Sequence, residues 1–207
     1  MNNFKNLGIE HKLIESISEL GFENPTPVQE KAIPLVLNDR SDLIALAQTG
    51  TGKTAAFGLP SIQQIDLKNK NIQTIVLCPT RELCIQISKD LLAYSKYLDY
   101  VKIIAVYGGA SIENQIKSIK KGVQIVVGTP GRIAELVLGR PGEKKGKMNI
   151  SGVQTIVLDE FDALPEEAIN VIVGALRNAF IERQYETDKT TQNKSYLLHG
   201  VALVGVR

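Results

Sequence analysis

Five short apolar runs punctuate the chain, and what lies between them dictates the kind of fold it can reach. They are Asp42 to Ala47 (DLIALA), Gln73 to Cys78 (QTIVLC), Val101 to Tyr107 (VKIIAVY), Val123 to Gly128 (VQIVVG) and Val153 to Leu158 (VQTIVL). Each is apolar nearly throughout, the pattern of a strand covered on both faces. Segments with helical spacing intervene. Glu82 to Tyr97 puts Leu83, Ile87, Leu91, Tyr94 and Leu98 on one side, and Ser111 to Lys121 and Gly131 to Leu138 follow. Such alternation predicts an α/β architecture, a parallel sheet with helices on both faces. Ahead of the first strand lie two further helical stretches, about Glu10 to Leu20 and Val28 to Leu37, parted by the turn Asn24-Pro25-Thr26-Pro27. Residues 1–38 therefore read as an appended amino-terminal element of the same domain.

Size agrees with a single unit. A chain of 207 residues, 43% of them hydrophobic, can bury one substantial core, so 1–207 is read as one domain. No apolar run approaches the roughly 20 residues needed to cross a bilayer, and Met1 to Asn6 has no apolar signal region. A soluble, cytoplasmic protein without a membrane partner is expected. Cys78 and Cys84 have neither metal-ligand spacing nor a disulfide framework around them and read as buried thiols. Lys and Arg number 24 against 22 Asp and Glu, so any nucleic-acid contact must rest on local residues rather than bulk charge. Leu67 to Asn71 and Gly139 to Asn149 (GRPGEKKGKMN) read as exposed loops, the lysines of the second solvated.

The first apolar run leads into Ala47-Gln48-Thr49-Gly50-Thr51-Gly52-Lys53-Thr54 and then a helix-compatible stretch. This is the context of a phosphate-binding loop. Its glycines let backbone N–H groups turn onto phosphate oxygens, and the new helix adds its positive amino end. Lys53 would supply charge to the β and γ phosphates, and the Thr54 hydroxyl could ligate magnesium. The usual first glycine of the general pattern is Ala47 here.

The fifth run ends directly in Asp159-Glu160-Phe161-Asp162, placing carboxylates where α/β sheets hold their ligands, at a strand's carboxyl end. Beside a phosphate loop, Asp159 suits the magnesium shell and Glu160 suits orientation or deprotonation of an attacking water. Alone, the cluster would read as a helix cap.

AQTGTGKT, PTREL, GG, TPGR and an acidic D-E-x-D occur in this order, and with these motifs the chain from about Phe4 to Asp162 resembles the DEAD-box RNA helicases. The resemblance implies a RecA-like first motor domain that binds ATP with Mg2+ and hydrolyses it to ADP and phosphate. Phe4, Gly21, Phe22, Pro25, Thr26, Pro27 and Gln29 match the family's adenine-reading Q motif. By that likeness Phe4, Phe22, Pro27 and Gln29 join residues 47–54 in holding ATP, Gln29 pairing with the adenine edge and Phe22 covering the ring. A glutamine amide, with one donor and one acceptor, matches adenine N6 and N7.

The resemblance assigns RNA backbone contacts to Pro79, Thr80, Arg81, Gly108, Gly109, Thr129, Pro130, Gly131 and Arg132. All follow expected strands and so share one sheet edge, and they offer hydroxyls, arginines and helix-start N–H groups that suit phosphates. No aromatic platform accompanies them, so base-specific reading is not expected. Tyr94, Tyr97, Tyr100 and Tyr107 read as packing residues, and His11 and His199 have no role.

Two departures stand out. Phe161 occupies the position the family usually gives to alanine, and the Ser-Ala-Thr motif expected after Asp162 is missing. Ile181 to Ser195 (IERQYETDKTTQNKS) reads as a loop and residues 181–207 as an atypical segment, with Val201 to Val206 able to supply a terminal strand. Asp162 is the coupling residue by resemblance. A second RecA-like domain, in cis or in trans, is expected to complete the ATP site. Lacking its arginines typically costs about 10³–10⁵ in rate, so the isolated chain, read as a monomer, would be weakly active or inactive. The rival readings are a non-catalytic RNA- or partner-binding module and a motor acting on DNA.

Overall fold

A computed structural model describes residues 3–38, 42–48, 50–140, 142, 146–188 and 199–206, with side chains described through residue 178. After a 3-10 turn at Asn3–Leu7 come α1 (His11–Glu19) and α2 (Pro27–Asn38). Then strands and helices alternate as β1 (Leu43–Gln48), α3 (Lys53–Gln63), β2 (Thr74–Leu77), α4 (Arg81–Tyr94), β3 (Ile103–Val106), α5 (Ile112–Lys120), β4 (Ile125–Gly128) and α6 (Pro130–Leu138). β5 (Thr155–Asp159), α7 (Glu166–Asp188) and β6 (His199–Val206) close the series. Every strand pair is parallel, in the order β1-β6-β5-β2-β4-β3, so the expected α/β sheet is present.

Alternation of side chains along a strand divides the interior into two cores. Val76, Cys78, Val127 and Val157 face one layer with Phe57, Leu59 and Leu91, while Ile75, Leu77, Val126 and Ile156 face the other with Ile133, Leu136 and Ile172. The amino-terminal element contributes Phe4, Leu13, Ile17 and Ile33 to the first of these layers. Side chains set several helix starts. Thr80 Oγ1 accepts from the Leu83 N–H at 3.2 Å to cap α4, and Ser111 Oγ accepts from the Asn114 N–H at 3.3 Å to cap α5.

The structure corrects the sequence reading in three places. β1 is not covered on both faces: Ile44 and Leu46 are 69% and 68% exposed, and the strand alternates between half-buried and exposed positions. Ile181 to Asp188 is helix rather than loop, continuing α7. Its Glu, Arg and Gln side chains are good helix formers with no Gly or Pro to stop them, so polarity alone misleads there. Residues 189–198 lie outside the described set. Tyr100 is exposed rather than packed, whereas Tyr94 is buried, and burial pushes its phenol above the ordinary range.

Val201 to Val206 does form a strand, within β6. Leu67 to Asn71 and the described part of Gly139 to Asn149 are irregular; Lys144 and Lys145 of the latter lie outside the described residues. Cys78 and Cys84 are free, buried and 2.8 Å apart at sulfur, and their mutual hydrogen bond and burial hold the Cys78 thiol far above its usual range. Among the described residues no helix is long and apolar enough to cross a membrane.

Candidate functional site

Because every strand runs the same way, the residues after β1, β2, β3, β4 and β5 emerge along one edge of the sheet. β1 delivers the glycine loop and β5 delivers Asp159, with β6 between them pairing on both sides, Gln48 to Val206 and Asp159 to Leu203. The loop is shaped by backbone that only glycine adopts freely, with φ of 80° at Gly50 and 85° at Gly52. A Cβ on Gly52 would also fall 2.3 Å from Gln29 Nε2. Thr51 Oγ1 donates to the Gln48 carbonyl at 2.7 Å and folds the loop onto itself.

Lys53 is the first residue of α3, 8% exposed, and its ammonium has no hydrogen-bond partner. A buried donor left without an acceptor costs free energy on the order of 1–3 kcal/mol or more when charged. Asp159 is likewise 7% exposed. Burial pushes its carboxyl up to about 6; the Lys53 charge opposes the shift and the Glu160 charge adds to it. Glu160 itself sits in the left-handed region, at φ 49° and ψ 51°, the sole non-glycine with positive φ among the described residues. Such strain concentrates at functional sites. The result is a helix amino end with an orphaned ammonium and a carboxyl reluctant to ionise, an arrangement that polyanionic phosphates and a hard cation would relieve.

The neighbouring strands β2, β4 and β3 carry the other loops. Arg81 is exposed, its guanidinium 4.9 Å from the centre of the Tyr107 ring. Gly108, Gly109 and Gly131 are exposed, Thr80 is exposed beyond its capping bond, and Thr129 opens α6. Arg132 points inward, donating from Nη1 to the Ala110 carbonyl at 3.2 Å and to Gln115 Oε1 at 2.7 Å.

The family model for the DEAD/DEAH box helicase matches residues 26–192. The chain belongs to that family. An ATP-dependent RNA helicase CshA of Listeria monocytogenes is 49% identical over 185 residues, 89% of this chain and 34% of the relative. An ATP-dependent RNA helicase DeaD of Escherichia coli is 41% identical over 161 residues, 78% of this chain and 24% of the relative. The chain thus spans about a third or less of these relatives. A DEAD box protein crystal structure from Methanococcus jannaschii superposes with TM-score 0.74 at 34% identity, covering 99% of this chain and 50% of that one.

Within this DEAD-box domain several expected contacts take a different form. Phe4 is fully buried, so it touches no ligand; its ring backs Phe22 at 6.3 Å between centroids, and Phe22 meets Tyr94 at 5.9 Å. Gln29 is also buried and its amide is already engaged. Its Oε1 accepts from the Thr26 N–H at 2.9 Å, and its Nε2 donates to the Gly52 carbonyl at 3.0 Å. With Thr26 Oγ1 donating to the Thr51 carbonyl at 2.8 Å, the Q motif braces the phosphate loop. Pro130 is buried at the first turn of α6 and offers no surface to RNA.

Pro27 opens α2 exposed, Ala47, Thr51 and Thr54 are half-buried, Gln48 is exposed and Thr49 lies outside the described residues. Pro79 is half-buried. Asp162 is exposed in the 3-10 turn Phe161–Ala163, which lies against β6, and Phe161 is exposed beside it. Gln115, singled out by no motif, is the buried polar residue that sequence reading missed. Its signal was available: a glutamine on the same face of α5 as Ile112 and Ile119.

Proposed function

We propose that this DEAD-box domain binds ATP at the β1 and β5 strand ends and, completed by a second RecA-like domain, hydrolyses it to ADP and phosphate in step with RNA binding and duplex unwinding. The buried, unpartnered ammonium of Lys53 carries the reading. No group in the fold accepts a hydrogen bond from it, whereas β and γ phosphates would supply the acceptors it lacks.

The residues divide the work. Backbone N–H groups of Gly50, Thr51, Gly52 and Lys53 receive phosphate oxygens at the start of α3. Thr54 and Asp159 offer hydroxyl and carboxylate oxygens, the donor set a small hard cation prefers, and would hold Mg2+. Bound there, Mg2+ would neutralise charge developing on the phosphates. Glu160, aimed by its left-handed backbone, orients the attacking water and takes its proton as the bond to the γ phosphorus forms and the leaving oxygen departs with ADP. Gln29 and Thr26 act by setting the loop's shape, and half-buried Phe22 offers a ring to cover the adenine.

RNA is proposed to lie along the β2, β4 and β3 loops, held through its sugar-phosphate backbone without base preference. Steady-state phosphate release with and without single-stranded RNA tests the reading, with Glu160→Gln as the blank. RNA-stimulated release abolished by Glu160→Gln is expected when the second domain is supplied. Release that Glu160→Gln leaves intact would overturn the catalytic assignment. Nucleotide and RNA binding with no turnover would favour a binding module, and stimulation by DNA equal to that by RNA would favour a DNA motor.

A further inference from the structure

Two of the three loops assigned to RNA are tied together by a side chain that belongs to neither, and the third is joined to them through Arg81. Gln115 is 7% exposed on α5. Its Nε2 donates to the Tyr107 carbonyl at 3.2 Å, and its Oε1 accepts from Arg132 Nη1 at 2.7 Å. The same Nη1 donates to the Ala110 carbonyl at 3.2 Å, and Arg132 Nε pairs with Glu135 at 3.0 Å, leaving the arginine side chain 9% exposed. Arg81 lies over the Tyr107 ring. A continuous path therefore runs from Arg81 through Tyr107, Gln115 and Arg132 back to Ala110, enclosing Gly108 and Gly109.

Resting on the RNA reading above, the geometry points to Gln115 as a positioning residue for RNA. It clasps Arg132 to the 107–110 loop, so that the Gly108-Gly109 backbone is preset for phosphate and Arg132 serves RNA through the clasp rather than by gripping phosphate. A primary amide fits because it carries a donor and an acceptor at one end; a carboxylate offers only acceptors and an ammonium only donors. Burial raises the stakes, since a half-satisfied buried network is worse than none. Arg132 is fit for the other end because its planar fork bonds a carbonyl, an amide oxygen and a carboxylate together.

The test is fluorescence anisotropy of a labelled single-stranded oligouridylate with the full chain and a non-hydrolysable ATP analogue, at several salt concentrations. Gln115→Met keeps the shape and removes both bonds. RNA affinity is expected to fall about tenfold, with nucleotide affinity unchanged within about twofold and the salt dependence unchanged. Arg132→Lys keeps the charge but not the fork; it should weaken RNA binding as much, and the double variant should be no worse than either single one. If instead Arg132 grips phosphate, Gln115→Met binds like the unaltered chain, Arg132→Lys keeps most affinity, and Arg132→Met loses about 0.7 of salt slope. That pattern overturns the clasp and leaves the RNA reading standing. An unaltered chain that fails to bind RNA even with the second RecA-like domain supplied overturns both. Should Gln115→Met lose nucleotide binding through misfolding, Gln115→Glu, which keeps the acceptor for Arg132 alone, carries the same comparison.

Discussion

The two ligand-facing parts of the sheet edge treat charge in opposite ways. At β1 and β5 the charges are left wanting: Lys53 has no acceptor and the Asp159 carboxyl is pushed up to about 6. At β2, β4 and β3 they are already matched, Arg132 with Gln115 and Glu135, and Arg81 with the Tyr107 ring. On the proposed reading, one region holds unmet demand for a ligand to fill, and the other uses its charges to hold loops in place and leaves backbone to meet the ligand. Mutating the charges of the first should show large effects in nucleotide binding and little structural cost. The second should show modest effects spread over several residues.

The largest expected effect is Lys53→Ala, which should weaken Mg·ATP binding about a hundredfold or more by calorimetry, since a charge-assisted contact to phosphate is lost. A loss under about threefold would break the comparison at its first term. Gly52→Ala comes next. The added methyl meets the Gln29 amide and demands a left-handed backbone, so ATP affinity should fall about tenfold and stability by about 1–3 kcal/mol.

Asp159 sharpens the contrast through pH. If Asp159 holds magnesium as proposed, protonation removes that ligand, so Mg·ATP affinity should decline as pH falls below about 6. Stability runs the other way. A folded-state value above the ordinary one means the native chain holds this proton more tightly, so the carboxylate costs stability above about 6 and none below its ordinary value. Asp159→Asn should accordingly raise the stability of the nucleotide-free chain near neutral pH by about 1–3 kcal/mol, read as a rise in thermal midpoint, while Mg·ATP binding falls. The smallest effect is expected at Arg81→Lys, a change of about threefold or less in RNA affinity, because a cation remains over the Tyr107 ring.

Legibility from sequence follows the same divide. The phosphate loop and acidic strand end are local strings whose chemistry is carried by contiguous residues, so Lys53, Thr54, Asp159 and Glu160 stand out in the linear chain. The Q motif points to Gln29 and Phe4 but not to the contacts they make, because a motif reports which residues matter and not which way a side chain is spent. For Gln115 the helix face hints at burial but the partners are hidden for a related reason: they come from the end of β3 and from α6, and only the fold brings them to α5. The helical character of Ile181 to Asp188 is hidden by its polarity, which argues for exposure and says little about backbone.

β6 gives the site a place in time as well as in space. β1 pairs with no other strand among the described residues, and Leu43 meets Val201 across most of the chain. During synthesis from the amino end, Lys53 and Asp159 are both made before the strand that spaces them. A nascent chain ending after β5 carries every candidate catalytic residue, yet β1 has no neighbour to align it. Acquisition of ATP binding on the ribosome should therefore mark the emergence of β6 rather than of the catalytic residues themselves.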